Sequence, residues 1–180
     1  MTAADTSSDT PGPAAADQLR TTVCPGCGAV LVATPGAAGQ HPGASPSCWR
    51  LFQVTVRGLR DEAAQDLQTA ALLQLAVDTY DAQHLLPGQP ASAAVRLYLA
   101  LDRRPGAPAA RVDDVARVDD VAPRTLQPPA RWTTTVADLA ADLDVVDLPA
   151  LVRAWAEATR ADWAPAAGAL RRAAAAALEA

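Results

Sequence analysis

The chain has 180 residues, 15 basic and 20 acidic side chains and a formal net charge of −5, with every basic residue an arginine. Nucleic-acid binders leave a basic footprint, and here the arginines are scattered among aspartates, which excludes DNA and RNA as expected partners. Half the residues are hydrophobic, yet there are only one Phe, two Tyr and four Trp. The apolar half is therefore mostly alanine, the best helix former, and a thin helical core that leans on its tryptophans is expected.

No apolar run reaches the roughly 18 residues needed to span a bilayer, so no membrane partner is expected. The first residues lack the basic and then apolar pattern of a signal peptide, and the expected setting is cytoplasmic. Residues 1–22 are rich in Ala, Thr, Ser, Asp and Pro, a composition that predicts a disordered tail. Order is expected to begin near Val23. The knuckle Cys24-Pro25-Gly26-Cys27-Gly28 comes first. Ala29 to Ala33 then reads as a strand of a small hairpin or as an extended segment. Thr34 to Ser47, with repeated Pro and Gly, reads as loop.

Ser45-Pro46 has the form of a helix start, with a serine cap and proline in the first turn. A helix is predicted from Pro46 into Val56, with Gly58 ending or bending it. A second is predicted from Asp61 to His84. Ala63, Leu67, Ala70, Leu73, Val77, Tyr80 and His84 are spaced by three and four, as on one helical face, and Pro87-Gly88 stops the pattern. Ala91 to Asp102 reads as a third helix, with Val95, Tyr98 and Leu99 inward.

Residues 104–130 are expected to be a proline-rich linker. They hold two identical tandem hexapeptides, Arg111 to Ala116 and Arg117 to Ala122, read as a duplication in a tolerant loop. Their Asp-Asp pairs lack the glycine and distal glutamate of a calcium loop. One of Thr133, Thr134 and Thr135 is a candidate cap for a short helix. Asp147 with Pro149 starts another, in which Leu148, Leu151, Val152, Trp155 and Thr159 share a face that Trp163 continues. Pro165 forces a kink or a new helix, and Ala166 to Ala180 reads as helical. The expected fold is mainly α, a helical bundle with a small N-terminal zinc-knuckle segment. Its parts are the tail, residues 23–103 with the knuckle and helices, the linker, and C-terminal helices in 131–180 packing on the same domain.

The chemistry lies in Cys24, Cys27 and Cys48. Two residues between thiolates let both sulfurs face one metal, and Cys48 stands at a helix start, where the dipole favours a thiolate. Three sulfurs and one imidazole make a closed shell for zinc. The fourth ligand is His84, at the end of a strong helix, or alternatively His41, in a Gly/Pro loop. Asp81 and the Tyr80 hydroxyl, one turn before His84, are candidates to orient its ring as a second layer.

Taken together, Cys24-Pro25-Gly26-Cys27-Gly28, Ser45-Pro46-Ser47-Cys48-Trp49, Val77 to His84, Trp132-Thr133 and a late helix with Trp155 and Trp163 resemble an uncharacterised bacterial family known only as a domain of unknown function. The resemblance spans about Val23 to Trp163. It departs from the family pattern after Gln83-His84, where Leu85-Leu86 intervene before Pro87-Gly88. It implies the site and brings no activity with it.

The reading these residues favour is a zinc-stabilised helical binding or accessory protein, with a protein or small molecule as its unknown partner. An alternative is an enzyme, either metal-dependent with Asp78 or Asp81 as base, or cysteine-dependent with Cys48 as nucleophile and His84 as base. A second alternative is a thiol redox switch using Cys24, Cys27 and Cys48. Asp78 has a structural reading too, as the partner of an arginine such as Arg50 or Arg57.

Overall fold

In the computed structural model, residues 20–36, 41–102 and 112–179 are described, with the backbone alone for 112–116. The fold is mainly helical. A two-stranded antiparallel hairpin, β1 (Thr21–Val23) and β2 (Val30–Val32), pairs Thr21 with Val32 and Val23 with Val30 and carries the knuckle at its turn. The helices follow as α1 (Pro46–Thr55), α2 (Arg57–Glu62), α3 (Leu67–Gln83), α4 (Ser92–Asp102), α5 (Val112–Val121), α6 (Val136–Ala141), α7 (Leu148–Asp162) and α8 (Ala167–Glu179). Order begins before Val23, because β1 pairs with the apolar run expected as a strand; residues 1–19 of the expected tail lie outside the described part.

α3 is the central element and packs on α2, α4 and α7. α4 in turn contacts α5, α7 and α8, while α1 lies against α6 and β2. This burial on several sides explains one difference from the sequence reading. The buried residues of α3 include Leu72, Leu75, Ala76, Thr79, Tyr80 and Gln83, whereas Leu67 is exposed. The run from Ala70 to Val77 is apolar nearly all round, so spacings of three and four can be drawn on more than one face.

The long helix expected from Asp61 is interrupted. α2 ends at Glu62, and Asp66 opens α3 by accepting from the Thr69 amide at 2.7 Å. A short carboxylate that caps a helix start competes with continuing the previous helix. Gly58 neither ends nor bends a helix; it lies inside α2, and the break falls at Val56, the C-cap of α1.

The expected linker also holds a helix. α5 packs on α4 and α8, with Val118 and Ala122 buried and Val121 half-buried. The hexapeptide places valines three apart, and Val118, Val121 and Ala122 therefore share one helical face. Prolines flank this stretch rather than interrupt it. The C-terminal helices follow their signals: Asp147 accepts from the Ala150 amide at 3.3 Å, Val152, Trp155, Ala156 and Thr159 are buried, and a 3-10 turn through Pro165 separates α7 from α8. No helix among the described residues is long and apolar enough to cross a membrane.

Candidate metal centre

Three separate pieces of chain converge at one point. The hairpin turn brings Cys24 and Cys27, the first turn of α1 brings Cys48, and the C-cap of α3 brings His84. All four residues are buried, and their donor atoms lie within 4.8 Å of one another. His84 Nε2 is 3.3 Å from Cys24 Sγ and 3.4 Å from Cys48 Sγ, and Cys27 Sγ is 3.7 Å from Cys48 Sγ. Bonds of about 2.3 Å to sulfur and 2.0 Å to nitrogen give a tetrahedron with edges of about 3.8 Å between sulfurs and 3.5 Å between sulfur and nitrogen. These three separations fit those edges, and the four residues form a potential metal-binding group.

Local sequence explains the convergence. Gly28 adopts φ +77°, a backbone conformation that suits glycine, and its amide donates to the Cys24 carbonyl at 2.9 Å, closing the knuckle. Ser45 caps α1 by accepting from the Cys48 amide at 3.2 Å, and its own amide points at Cys24 Sγ at 3.4 Å. Ser47 joins α1 to the hairpin, donating to the Val32 carbonyl at 2.8 Å and accepting from the Thr34 amide at 2.9 Å. The segment from Ser45 to Cys48 thus caps a helix, clamps a strand and delivers a sulfur.

His84 is oriented by its own helix. Its Nδ1 donates to the Tyr80 carbonyl at 2.6 Å, which in the neutral ring puts the free lone pair on Nε2, the atom facing the sulfurs. The sequence points to Asp81 or the Tyr80 hydroxyl for this orientation. Instead the Tyr80 backbone orients the ring, its hydroxyl donates to Cys48 Sγ at 3.6 Å, and Asp81 faces His41. The reason is position: a C-cap imidazole lies beside the carbonyl one turn earlier in its own helix. The Tyr80 ring stacks on His84 at 4.0 Å and on Phe52 at 4.2 Å, so the few aromatics of the chain gather around the cluster.

His41 stands outside the cluster. It packs on Trp49 at 4.3 Å, and its Nδ1 lies 3.0 Å from Asp81 Oδ1, close enough for electrostatic contact but not aligned as a hydrogen bond. Asp78 is elsewhere again. It is buried on α3 with Oδ1 2.6 Å from Arg96 Nε, and burial pushes its carboxyl up to about 6 although Arg96 partly opposes the shift. Its partner is therefore Arg96 on α4. Arg50 instead donates to the Pro35 carbonyl, and Arg57 lies near Asp61. Residue types at helical spacing gave no sign of the Asp78–Arg96 pairing, because it crosses between helices.

Three contacts carry no signature in the sequence. A Cβ on Gly26 would lie 2.6 Å from the His84 ring, and one on Gly43 would lie 2.1 Å from the His84 carbonyl oxygen. The knuckle and the His41 loop thus press against the end of α3 through two glycines. Trp132, before α6, donates from Nε1 to the Gly26 carbonyl at 3.0 Å.

The three thiols shift one another strongly. The Cys24 thiol is held far below its ordinary range because Cys27 and Cys48 donate hydrogen bonds to it. Those two are pushed up, Cys27 to about 12, by holding the protons that Cys24 accepts and by burial. Three crowded sulfurs cannot all ionise in a buried space unless a positive ion compensates them.

No curated protein and no solved structure matches the chain. A sequence model of one family does match, over residues 22–164, a span that takes in all four cluster residues and the helices that position them. The chain belongs to the family of unknown function DUF5946.

Proposed function

We propose that Cys24, Cys27, Cys48 and His84 bind one zinc ion and that the protein is a zinc-stabilised helical binding or accessory protein. The observation that carries this reading is the set of four buried donors within 4.8 Å of one another, three of their separations matching tetrahedral edges, with His84 Nδ1 engaged by the Tyr80 carbonyl so that Nε2 faces the sulfurs. Thiolates select soft and borderline metals, and a tetrahedral set of three sulfurs and one nitrogen suits zinc. Four protein donors fill that shell, so the ion would staple the hairpin, α1 and α3 together and leave no position for a reacting water. Asp78, one of the two candidate bases of the enzyme alternative, is engaged with Arg96. Three buried cysteines without disulfides suit a reducing compartment such as the cytoplasm.

The test is metal analysis of the purified protein, followed by chelation. One zinc per chain is expected, with four protein ligands in the absorption spectrum of the cobalt-substituted form. Removing the metal should lower both the helical signal and the melting temperature. A metal-free preparation that keeps its full helical signal and melting temperature would sink the proposal.

A further inference from the structure

The hairpin that carries the knuckle has two unequal edges. The Cys24 amide donates to the Ala29 carbonyl at 2.9 Å, and the Ala33 amide to the Arg20 carbonyl at 2.7 Å. Hydrogen-bonded and non-bonded pairs alternate along an antiparallel ladder. Val23–Val30 and Thr21–Val32 are therefore non-bonded pairs, whose N–H and C=O groups point away from the partner strand. On the β2 side that edge is covered: α1 packs on β2, and Ser47 donates to the Val32 carbonyl at 2.8 Å. On the β1 side, the outward groups of Thr21 and Val23 meet no partner among the described residues. An open strand edge is a template for a further strand.

Two features of the sequence say which strand fits it. Val23, Val30 and Val32 stand on one face at 62%, 63% and 48% exposure, while Thr22 and Leu31 turn inward. Val23 and Val30 are direct cross-strand partners, so the valines form one contiguous row. Rows of β-branched side chains favour strand pairing. Between Arg20 and Arg50, moreover, the chain has no Asp, Glu or Arg, and the net charge of −5 arises wholly outside this stretch. Two copies repel each other through an acidic surface, and the hairpin is where they can meet without like charges. A strongly basic or acidic partner would find no counter-charge in it.

We propose that β1 pairs with β1 of a second copy, antiparallel about a two-fold axis through Thr22. Thr21 and Val23 lie on either side of that axis. Thr21 of each protomer therefore falls opposite Val23 of its partner, and each such pair exchanges two hydrogen bonds from groups that already point outward. The contact is isologous and closes on itself. It joins the strands in the order β2, β1, β1, β2, with both valine rows on one face. The strands are short, so the interface is small and the dimer weak. None of the groups used is a metal donor, and the inference stands apart from the zinc reading.

The test is sedimentation equilibrium of the full chain, with amide hydrogen exchange read residue by residue across the same concentrations. A monomer–dimer equilibrium is expected between about 10 µM and 1 mM, the range of weak association. The Thr21 and Val23 amides should gain protection as the dimer forms. Thr21→Pro removes an outward N–H at the first residue of the strand, where proline is tolerated, and Val23→Lys puts a charge in the valine row. Each should weaken dimerisation tenfold or more and keep the helical signal of the dilute protein. Leu178→Lys, at an exposed apolar position on α8, should leave dimerisation unchanged. The proposal is overturned if the chain stays monomeric at 1 mM, or if a dimer forms while the Thr21 and Val23 amides exchange at the monomer rate. Protection of the two amides that does not depend on concentration would overturn it as well, by showing that the edge is paired within one chain. Should Thr21→Pro fail to fold, wild-type dimerisation by Val23→Lys is sufficient to overturn it.

Discussion

Trp132 Nε1 donates to the Gly26 carbonyl at 3.0 Å across 106 residues of sequence, so the segment leading into α6 holds the turn that presents Cys24 and Cys27. Trp132→Phe keeps an aromatic ring near Trp163 and removes the donor. A stability loss of about 1 kcal/mol is expected from one hydrogen bond, together with faster metal release to a chelator. Release at the wild-type rate would show that the knuckle holds itself.

The two histidines should separate cleanly. His84→Ala removes a buried donor and the stack on Tyr80 and should abolish stoichiometric zinc binding. His41→Ala should retain one zinc per chain and lose only its contacts with Trp49, Tyr80 and Asp81. Metal content measured by native mass spectrometry decides the matter, and equal loss in both variants would contradict the assignment.

Glycine substitutions probe how tightly the knuckle and the histidine approach each other. Gly26→Ala and Gly43→Ala place a methyl at 2.6 Å from the His84 ring and 2.1 Å from its carbonyl oxygen. Each should cost about 1–3 kcal/mol, the range for overpacking, and weaken metal retention without removing a donor. Gly58→Ala is the contrast. Its Cβ meets open space inside α2, and it should stabilise by about 0.5–1 kcal/mol. Thermal melts of the three variants give the order.

Asp78 predicts a pH effect of definite sign. Its carboxyl is raised in the folded protein to about 6, mainly by burial, above its unfolded value of about 4. The folded state therefore holds the proton more tightly in that interval, and this group's contribution to stability falls as pH rises from about 4 to 6. The full effect is up to about 3 kcal/mol. Asp78→Asn should remove that downward contribution, seen as a difference in the slope of stability against pH between the two proteins at saturating metal. Parallel slopes would show that Arg96 offsets the burial completely.

Helix starts were the part of the fold that local chemistry announced. Ser45-Pro46, Asp147 with Pro149, and the threonines before Val136 all fall where caps form, because a cap depends on residues within one turn of each other. Thr135 both accepts from the Ala137 amide and donates to Asp138, and the Asp138 carboxylate accepts from the Thr135 amide. The inward face of α3 was not announced, since nearly every face of that helix meets another element. α5 was hidden by the prolines on either side of it. At the candidate metal centre, the residue types and the Cys-x-x-Cys spacing could be read directly. What orients them could not: the Tyr80 carbonyl is main chain and carries no residue signature, while Trp132 and the two glycines act through contacts between remote segments.

Gln83 likewise acts through remote segments. Its Nε2 reaches the Thr134 carbonyl at 2.7 Å and Thr159 Oγ1 at 3.1 Å, tying the end of α3 to the entry of α6 and to α7. The residue beside the candidate ligand thus anchors the helix that carries it.

The span between Cys24 and His84 is 60 residues. A cross-link across such a loop removes on the order of 4 kcal/mol of chain freedom from the unfolded state. It also imposes an order of events. An unfolded chain offers an ion only the neighbouring pair Cys24 and Cys27, a weak two-point grip, and Cys48 and His84 arrive once α1 and α3 are docked. Tight capture of the ion would therefore coincide with the docking of α1 and α3, so a chain short of metal would leave the hairpin and both helices loose together.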